Sequence, residues 1–237
     1  MDRIETITAT DCALGFVSVY DAILFDNDGV LVDPPGIETK TAATKAAFAA
    51  VGVTEPDPAD VDAILSGPTE AELEACCARY GLDPESFWRA RERHDEDSQL
   101  EAFRAGERSV YDDIGALRDV RRPRGVVSNN HHSTIEFVLS HFELEPLFDC
   151  YYGRPMTIES LSRKKPNPHY VERAVADLGV TSALYVGDSE SDVVAADRAG
   201  LDSAFVRRSH NRRAALSVEP DYEIESLRAV PAIVSGS

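Results

Sequence analysis

Two carboxylates one residue apart, Asp26 and Asp28, close the apolar run Ala22-Ile23-Leu24-Phe25 and are followed by Gly29. Acids held side by side repel, and one stays protonated unless a cation neutralises the pair. A hard divalent ion does this, because it takes carboxylate and carbonyl oxygens. The run before them is too short for a helix and continuous in the manner of a strand buried on both faces. Ligands of open α/β sheets sit beyond the carboxyl ends of such strands, so Asp26 and Asp28 are expected where chemistry happens.

Three further clusters sit in comparable settings. Gly125-Val126-Val127 reads as a strand ending in Ser128-Asn129-Asn130. Lys165 lies in Arg163-Lys164-Lys165-Pro166-Asn167-Pro168, which its two prolines keep out of a helix interior. Ala183-Leu184-Tyr185-Val186-Gly187 reads as a strand ending in Asp188-Ser189-Glu190-Ser191-Asp192. Asp188 and Asp192 are one helical turn apart and can face one site. Taken singly, each cluster is ordinary: turn aspartates, a cap, a solvated lysine, a decorated helix start. Their succession, each at a strand end or helix start, calls for a common explanation.

The elements that must position them follow from the pattern. Strands and helices alternate outside residues 34–105, which predicts a parallel sheet covered on both faces. Residues 34–105 read as helix alone. Ile37 to Val51 is Ala-rich and stops at Gly52, and Asp57 to Leu65 is shorter. Thr69 and Glu72 form a capping box before Leu73, Cys76, Cys77 and Tyr80, and Asp83-Pro84 opens a helix through Phe87 and Trp88 towards Phe103. The expected organisation is an α/β core over 1–33 and 106–237, with an inserted helical domain over 34–105. Smaller expectations are an edge strand at Phe16–Tyr20, helices at Asp113–Val120 and after a capping box at Ser133–Glu136, and a strand and helix between Asp221 and Val234.

From about residue 22 to 206 the four clusters resemble, in order and setting, the four motifs of the haloacid dehalogenase-like hydrolases. The branch is that of phosphoglycolate phosphatase and β-phosphoglucomutase. The resemblance implies a three-layer, doubly wound, Rossmann-like core with a helical cap. It implies Asp26 as nucleophile and Asp28 as general acid and then base. Ser128, the Asn129 backbone N–H and Lys165 would bind phosphate. Asp26, Asp28 (through its carbonyl) and Asp188 would hold the metal, with Asp192 behind them through water or a hydrogen bond. Mg²⁺ suits such a site, because it keeps several waters and binds through few carboxylates plus phosphate oxygens. Ser66-Gly67-Pro68 matches by position the cap's substrate loop, although no basic residue stands in it. The implied activity is hydrolysis of a small phosphomonoester through an aspartyl-phosphate. A β-phosphoglucomutase-like phosphomutase is the alternative, since the core chemistry is shared. The haloacid dehalogenase branch lacks a counterpart of Asp28 and needs no metal. A non-catalytic phosphate-responsive protein would have lost one of the acids, and here all are present.

Composition narrows the partners. With 24 Lys and Arg against 42 Asp and Glu, the net charge is −18, which disfavours nucleic acid and anionic membrane surfaces. A small phosphorylated metabolite is the expected partner. The four lysines are Lys40, Lys45, Lys164 and Lys165, and so acidic, Lys-poor a chain suits high salt, where self-repulsion is screened. Cys12, Cys76, Cys77 and Cys150 include no Cys-x-x-Cys pair. Neither a membrane span nor a signal-peptide pattern is read, so a cytoplasmic protein is expected. His131 and His132 are read as surface or loop residues, Trp88 as core of the helical insert, and the arginines at 207, 208, 212 and 213 as partners of nearby acids. The sequence does not specify an oligomeric state.

Overall fold

The computed structural model of the chain describes residues 20–236. Its six strands are β1 (Ala22–Phe25), β2 (Arg124–His131), β3 (Cys150–Arg154), β4 (Ala183–Gly187), β5 (Asp202–Val206) and β6 (Tyr222–Ile224), and they form one sheet in the order β3-β2-β1-β4-β5-β6. Every pairing is parallel. Phe25 is level with Val126 on one side and Val186 on the other. With that register, Asp26, Ser128 and Asp188 all lie at the same end of the sheet. The chain runs outward from β1 to β3, then returns to the other side of β1 at β4, which makes the switch point where ligands of such sheets bind.

Alternation along β1 divides the core into two layers. Ile23 and Phe25, with Leu184 and Val186, pack against Ile135 and Leu139 of α5 (His132–His141) and against Val230 and Val234 of α8 (Val230–Ser235). Ala22 and Leu24, with Val127 and Tyr185, pack against Val171 and Ala174 of α6 (His169–Leu178) and Ala195 and Ala196 of α7 (Glu190–Arg198).

Between β1 and β2 the long elements are all helices: α1 (Ile37–Ala50), α2 (Pro58–Leu65), α3 (Glu70–Tyr80) and α4 (Pro84–Arg104). Their ends are written in the sequence. Asp57 and Asp83 cap α2 and α4 immediately before a proline, the Thr69–Glu72 box opens α3, and Gly81 closes it at φ 65°. Each such cap contributes about 1 kcal/mol. The helices bury a core of their own, with Phe48, Ile64, Leu73, Cys76, Cys77, Phe87 and Trp88 in contact. Ile158 and Leu161, from the 3₁₀ turn Ile158–Arg163 after β3, join that core.

Two expected helix starts differ. The segment near Asp113 is a 3₁₀ turn, Ile114–Asp119, without a side-chain cap, because the Asp113 carboxylate instead accepts from Arg208, Ser226 and the Leu227 N–H. The box at Ser133–Glu136 does not form: α5 already begins at His132, and the Ser133 hydroxyl donates to Glu96 on α4. Apart from Tyr20, the expected edge strand at Phe16–Tyr20 lies outside the described residues. No helix among the described residues is long and apolar enough to cross a membrane.

Candidate active site

Asp26 follows β1 directly, and its N–H donates to Val186 O on β4 at 2.9 Å, which carries the sheet ladder into the site. Its carboxylate is 3.0 Å from the Lys165 ammonium. Lys165, 3% exposed, also meets Asp192 at 2.6 Å and donates to the Tyr185 hydroxyl at 2.7 Å. Tyr185 in turn donates to Val127 O. Asp192 has no free oxygen: one faces Lys165, and the other accepts from the N–H groups of Asp188 and Ser189 and from the Ser189 hydroxyl. It therefore fixes both the lysine and the turn from β4 into α7.

The electrostatics follow from this burial. Desolvation pushes the Asp26 carboxyl well above its usual range; Lys165 pulls it back, and the acids at 192, 188 and 28 raise it further. Burial alone would lower the Lys165 ammonium, but Asp192 and Asp26 hold it well above its ordinary value. Asp188 is raised by burial and eased by His210, whose Nε2 lies 2.6 Å from its Oδ2. Asn211 holds the Asp188 carbonyl at 2.8 Å. Carboxylate oxygens of Asp26, Asp188 and Asp192 gather within 4.8 Å of one another, a density of negative charge that one cation beside Asp26 and Asp188 would relieve. Gly29, at φ 80°, leaves the space for this, since a Cβ there would collide with Asp188 Oδ2.

The β2–β3 ladder is interrupted between Val127 and His131, which frees the strand end at 128–130. The Asn129 side chain grips the Lys165 backbone in both directions, accepting at 2.7 Å and donating at 2.9 Å. Ser128 is buried beside it. Asp28 is held by a different set of partners. Its carboxylate accepts from Arg108 at 2.5 Å, from Asn130 at 2.7 Å and from Asn27 at 3.1 Å.

A cavity of about 580 Å³ opens over this floor. Asp26, Asp28, Ser128, Asn129, Lys165 and Asp188 line it, and Ser66 and Gly67 reach it from the helical insert. Pro68 is not part of the lining, and Asp192 lies beneath it. Lys164 brings positive charge to the Ser66-Gly67-Pro68 turn: its ammonium donates to Gly67 O at 2.7 Å.

A family model described as haloacid dehalogenase-like hydrolase matches residues 23–206. The chain belongs to this family. It is 31% identical over 188 residues to a phosphoglycolate phosphatase of Cereibacter sphaeroides, covering 77% of this chain and 83% of the relative. It is 26% identical over 223 residues to the pyrophosphatase PpaX of Anoxybacillus flavithermus, covering 87% and 93%. The crystal structure of CbbY from Rhodobacter sphaeroides in complex with phosphate superposes with a TM-score of 0.67 at 22% identity, covering 89% of this chain and 96% of that one, and shows the same fold.

Around the motifs this hydrolase carries residues that sequence reasoning passed over. His131 is the clear correction: it is 0% exposed, with Nε2 3.2 Å from Glu92 of α4. Glu92 is also gripped through both oxygens by Arg154, at the end of β3, whose Nε donates to Asn129 O at 3.0 Å. Burial alone would raise the Glu92 carboxyl, but hydrogen bonds from His131 and Arg154 hold it far below its usual range. Trp88, Glu92, Asp95 and Gln99 share one face of α4, and polar residues on the stripe begun by Trp88 were the available signal. Trp88 does belong to the insert's core, as expected, and it also lines the cavity. Arg207 and Arg208 pair with Glu223 and Asp113 as expected of that cluster.

Proposed function

We propose that the chain is a Mg²⁺-dependent phosphatase of small phosphomonoesters, with residues 34–105 as its cap. The observation that carries this is the Asp26 carboxylate held 3.0 Å from a buried lysine on the floor of a cavity that the helical insert roofs. The relative named phosphoglycolate phosphatase supports the class of substrate.

An Asp26 oxygen attacks phosphorus, the bond from phosphorus to the ester oxygen breaks, and the departing oxygen takes a proton from Asp28. Water then attacks the aspartyl-phosphate, Asp28 takes its proton, and inorganic phosphate leaves with Asp26 restored. Lys165 and the Ser128–Asn129 strand end offset charge on the phosphoryl oxygens. Mg²⁺, held by the Asp26 and Asp188 carboxylates and the Asp28 carbonyl, would neutralise charge on the phosphoryl group. The cap excludes bulk water and admits only substrates that fit beneath Ser66 and Gly67.

Hydrolysis of an aryl phosphate with Mg²⁺ tests the reading. Chelation removes activity, and Asp26→Asn lowers kcat by at least about 10⁴-fold, as loss of a nucleophile does. Undiminished turnover by that variant overturns it.

A further inference from the structure

Arg108 is 4% exposed and bonded at every nitrogen of its guanidinium. Nε and Nη2 donate to Asp33 O, at 2.9 and 2.6 Å. Nη2 also reaches Asp28 Oδ1 at 2.5 Å, Nη1 donates to Gln99 Oε1 at 3.0 Å, and the guanidinium carbon lies 4.1 Å from the centre of the Phe103 ring. Asp33 belongs to the first crossing between the sheet and the helical insert, and Arg108 to the second. The two crossings are already joined by their own bonds, Asp33 N to Ser109 O at 2.9 Å and Tyr111 N to Leu31 O at 3.1 Å. Holding them together does not require the bonds that Arg108 makes to Asp28 and Gln99.

Those bonds belong to a closed set of side chains. Asn130 Nδ2 donates both to Asp28 Oδ2 and to Gln99 Oε1, at 2.7 Å each. Gln99 Nε2 returns a bond to Asn130 Oδ1 at 3.1 Å and another to Asp95 at 3.0 Å. One oxygen of a helix in the insert thus accepts from both residues that grip opposite oxygens of Asp28. The Asp28 side chain keeps 19% of its surface exposed, on the cavity it lines.

We propose that Arg108, Asn130 and Gln99 form a positioning relay that aims the Asp28 carboxyl at the leaving-group oxygen and ties that aim to the seating of α4. The inference rests on the phosphatase reading. Its consequence is selective. Transfer of the phosphoryl group to Asp26 depends on the relay when the leaving group needs a proton and not when it departs as a stable anion, whereas the later hydrolysis, with Asp28 as base, is common to all substrates.

The test is a series of phosphate monoesters, from a simple alkyl phosphate to dinitrophenyl phosphate, assayed with Mg²⁺ on wild type, Arg108→Met, Arg108→Lys and Gln99→Leu. Gln99→Leu touches neither crossing, so it carries the test even where Arg108→Met does not fold. The expected result is a loss of about 100-fold in kcat/KM, which reports transfer to Asp26 and not the later hydrolysis, on the alkyl ester and under about 3-fold on the dinitrophenyl ester, the lower end of what general acid catalysis contributes. Arg108→Lys, which keeps the charge beside Asp28 and loses the fork to Gln99, falls between. Equal losses of kcat/KM along the series, or no loss on the alkyl ester, overturn the relay and leave the phosphatase reading standing. A wild type inactive on every ester overturns both.

Discussion

The floor and the roof of the cavity are built on different principles. The floor is a row of strand ends whose positions are set by the ladder, and its central cation, Lys165, is sealed between Asp26 and Asp192. The roof, beside Ser66 and Gly67, is one long helix that brings Arg91, Glu92, Asp95 and Gln99 inward and meets the floor through charges, Arg154 and His131 to Glu92. A lattice of backbone hydrogen bonds places groups without reference to side-chain chemistry. A helix laid over it is placed by the chemistry itself. The floor should therefore fail through exposed charge, and the roof through pH.

The largest stability effect expected is at the floor. Lys165→Met leaves Asp26 and Asp192 buried without their cation, which costs about 3–5 kcal/mol. Denaturant unfolding at neutral pH measures it. Adding Asp192→Asn to that variant, which keeps the side-chain oxygen that caps α7, should recover part of the loss. A single variant as stable as wild type would show that the floor is held by the ladder alone.

The roof responds less and in a different variable. Glu92→Gln keeps the shape and removes the charge between Arg154 and His131, for a loss of about 1.5–3 kcal/mol, the range for hydrogen bonds to charged groups. The sign with pH follows from the depressed Glu92 carboxyl. Its contribution is complete above the ordinary glutamate value of about 4.3 and disappears as pH falls through the lower folded value. Wild type should lose stability more steeply than the variant on acidification below about pH 4. Parallel acid limbs would mean that Glu92 is not what makes the roof acid-sensitive.

The same contrast explains what could be read in the sequence. Strand ends announce themselves, because an apolar run that stops on Asp26 or Asp188 carries its position in the sheet with it. The helices of the insert were legible from their caps at Asp57, Thr69 and Asp83. The partners of Asp28 were not. Arg108 and Gln99 are 80 and 71 residues away in sequence, and nothing local distinguishes a buried arginine from a solvated one. His131 was misread because its burial comes from α4, which the sequence places only as another helix. Ser133 looked like a cap, but it is spent on Glu96 of the same helix. Tertiary pairing overrode local pattern wherever the roof meets the floor.

A smaller effect probes the rim between the two. His210 holds Asp188 from a loop after β5, as an outer partner of a metal-holding carboxylate would. His210→Ala should weaken Mg²⁺ binding by about 10- to 100-fold, as loss of such partners does, with the fold unchanged. Calorimetric titration of Mg²⁺ reads this without turnover. Unchanged affinity would leave His210 as a loop residue only.

The smallest effect separates both buried networks from the rest of the molecule. A charge of −18 repels itself across the surface, and salt screens exposed charges over about 10 Å at 0.1 M and 3 Å at 1 M. The pairs at Lys165 and Glu92 are buried and feel little of that screening. Raising KCl from 0.1 to 2 M should therefore lift the wild-type Tm by about 2–4 °C, the equivalent of about 1 kcal/mol for a chain of this size. The losses caused by Lys165→Met and Glu92→Gln should stay the same at both salt concentrations. If those losses shrink with salt, the two networks are open to solvent, and the distinction drawn between ladder-set floor and charge-set roof gives way to one screened surface.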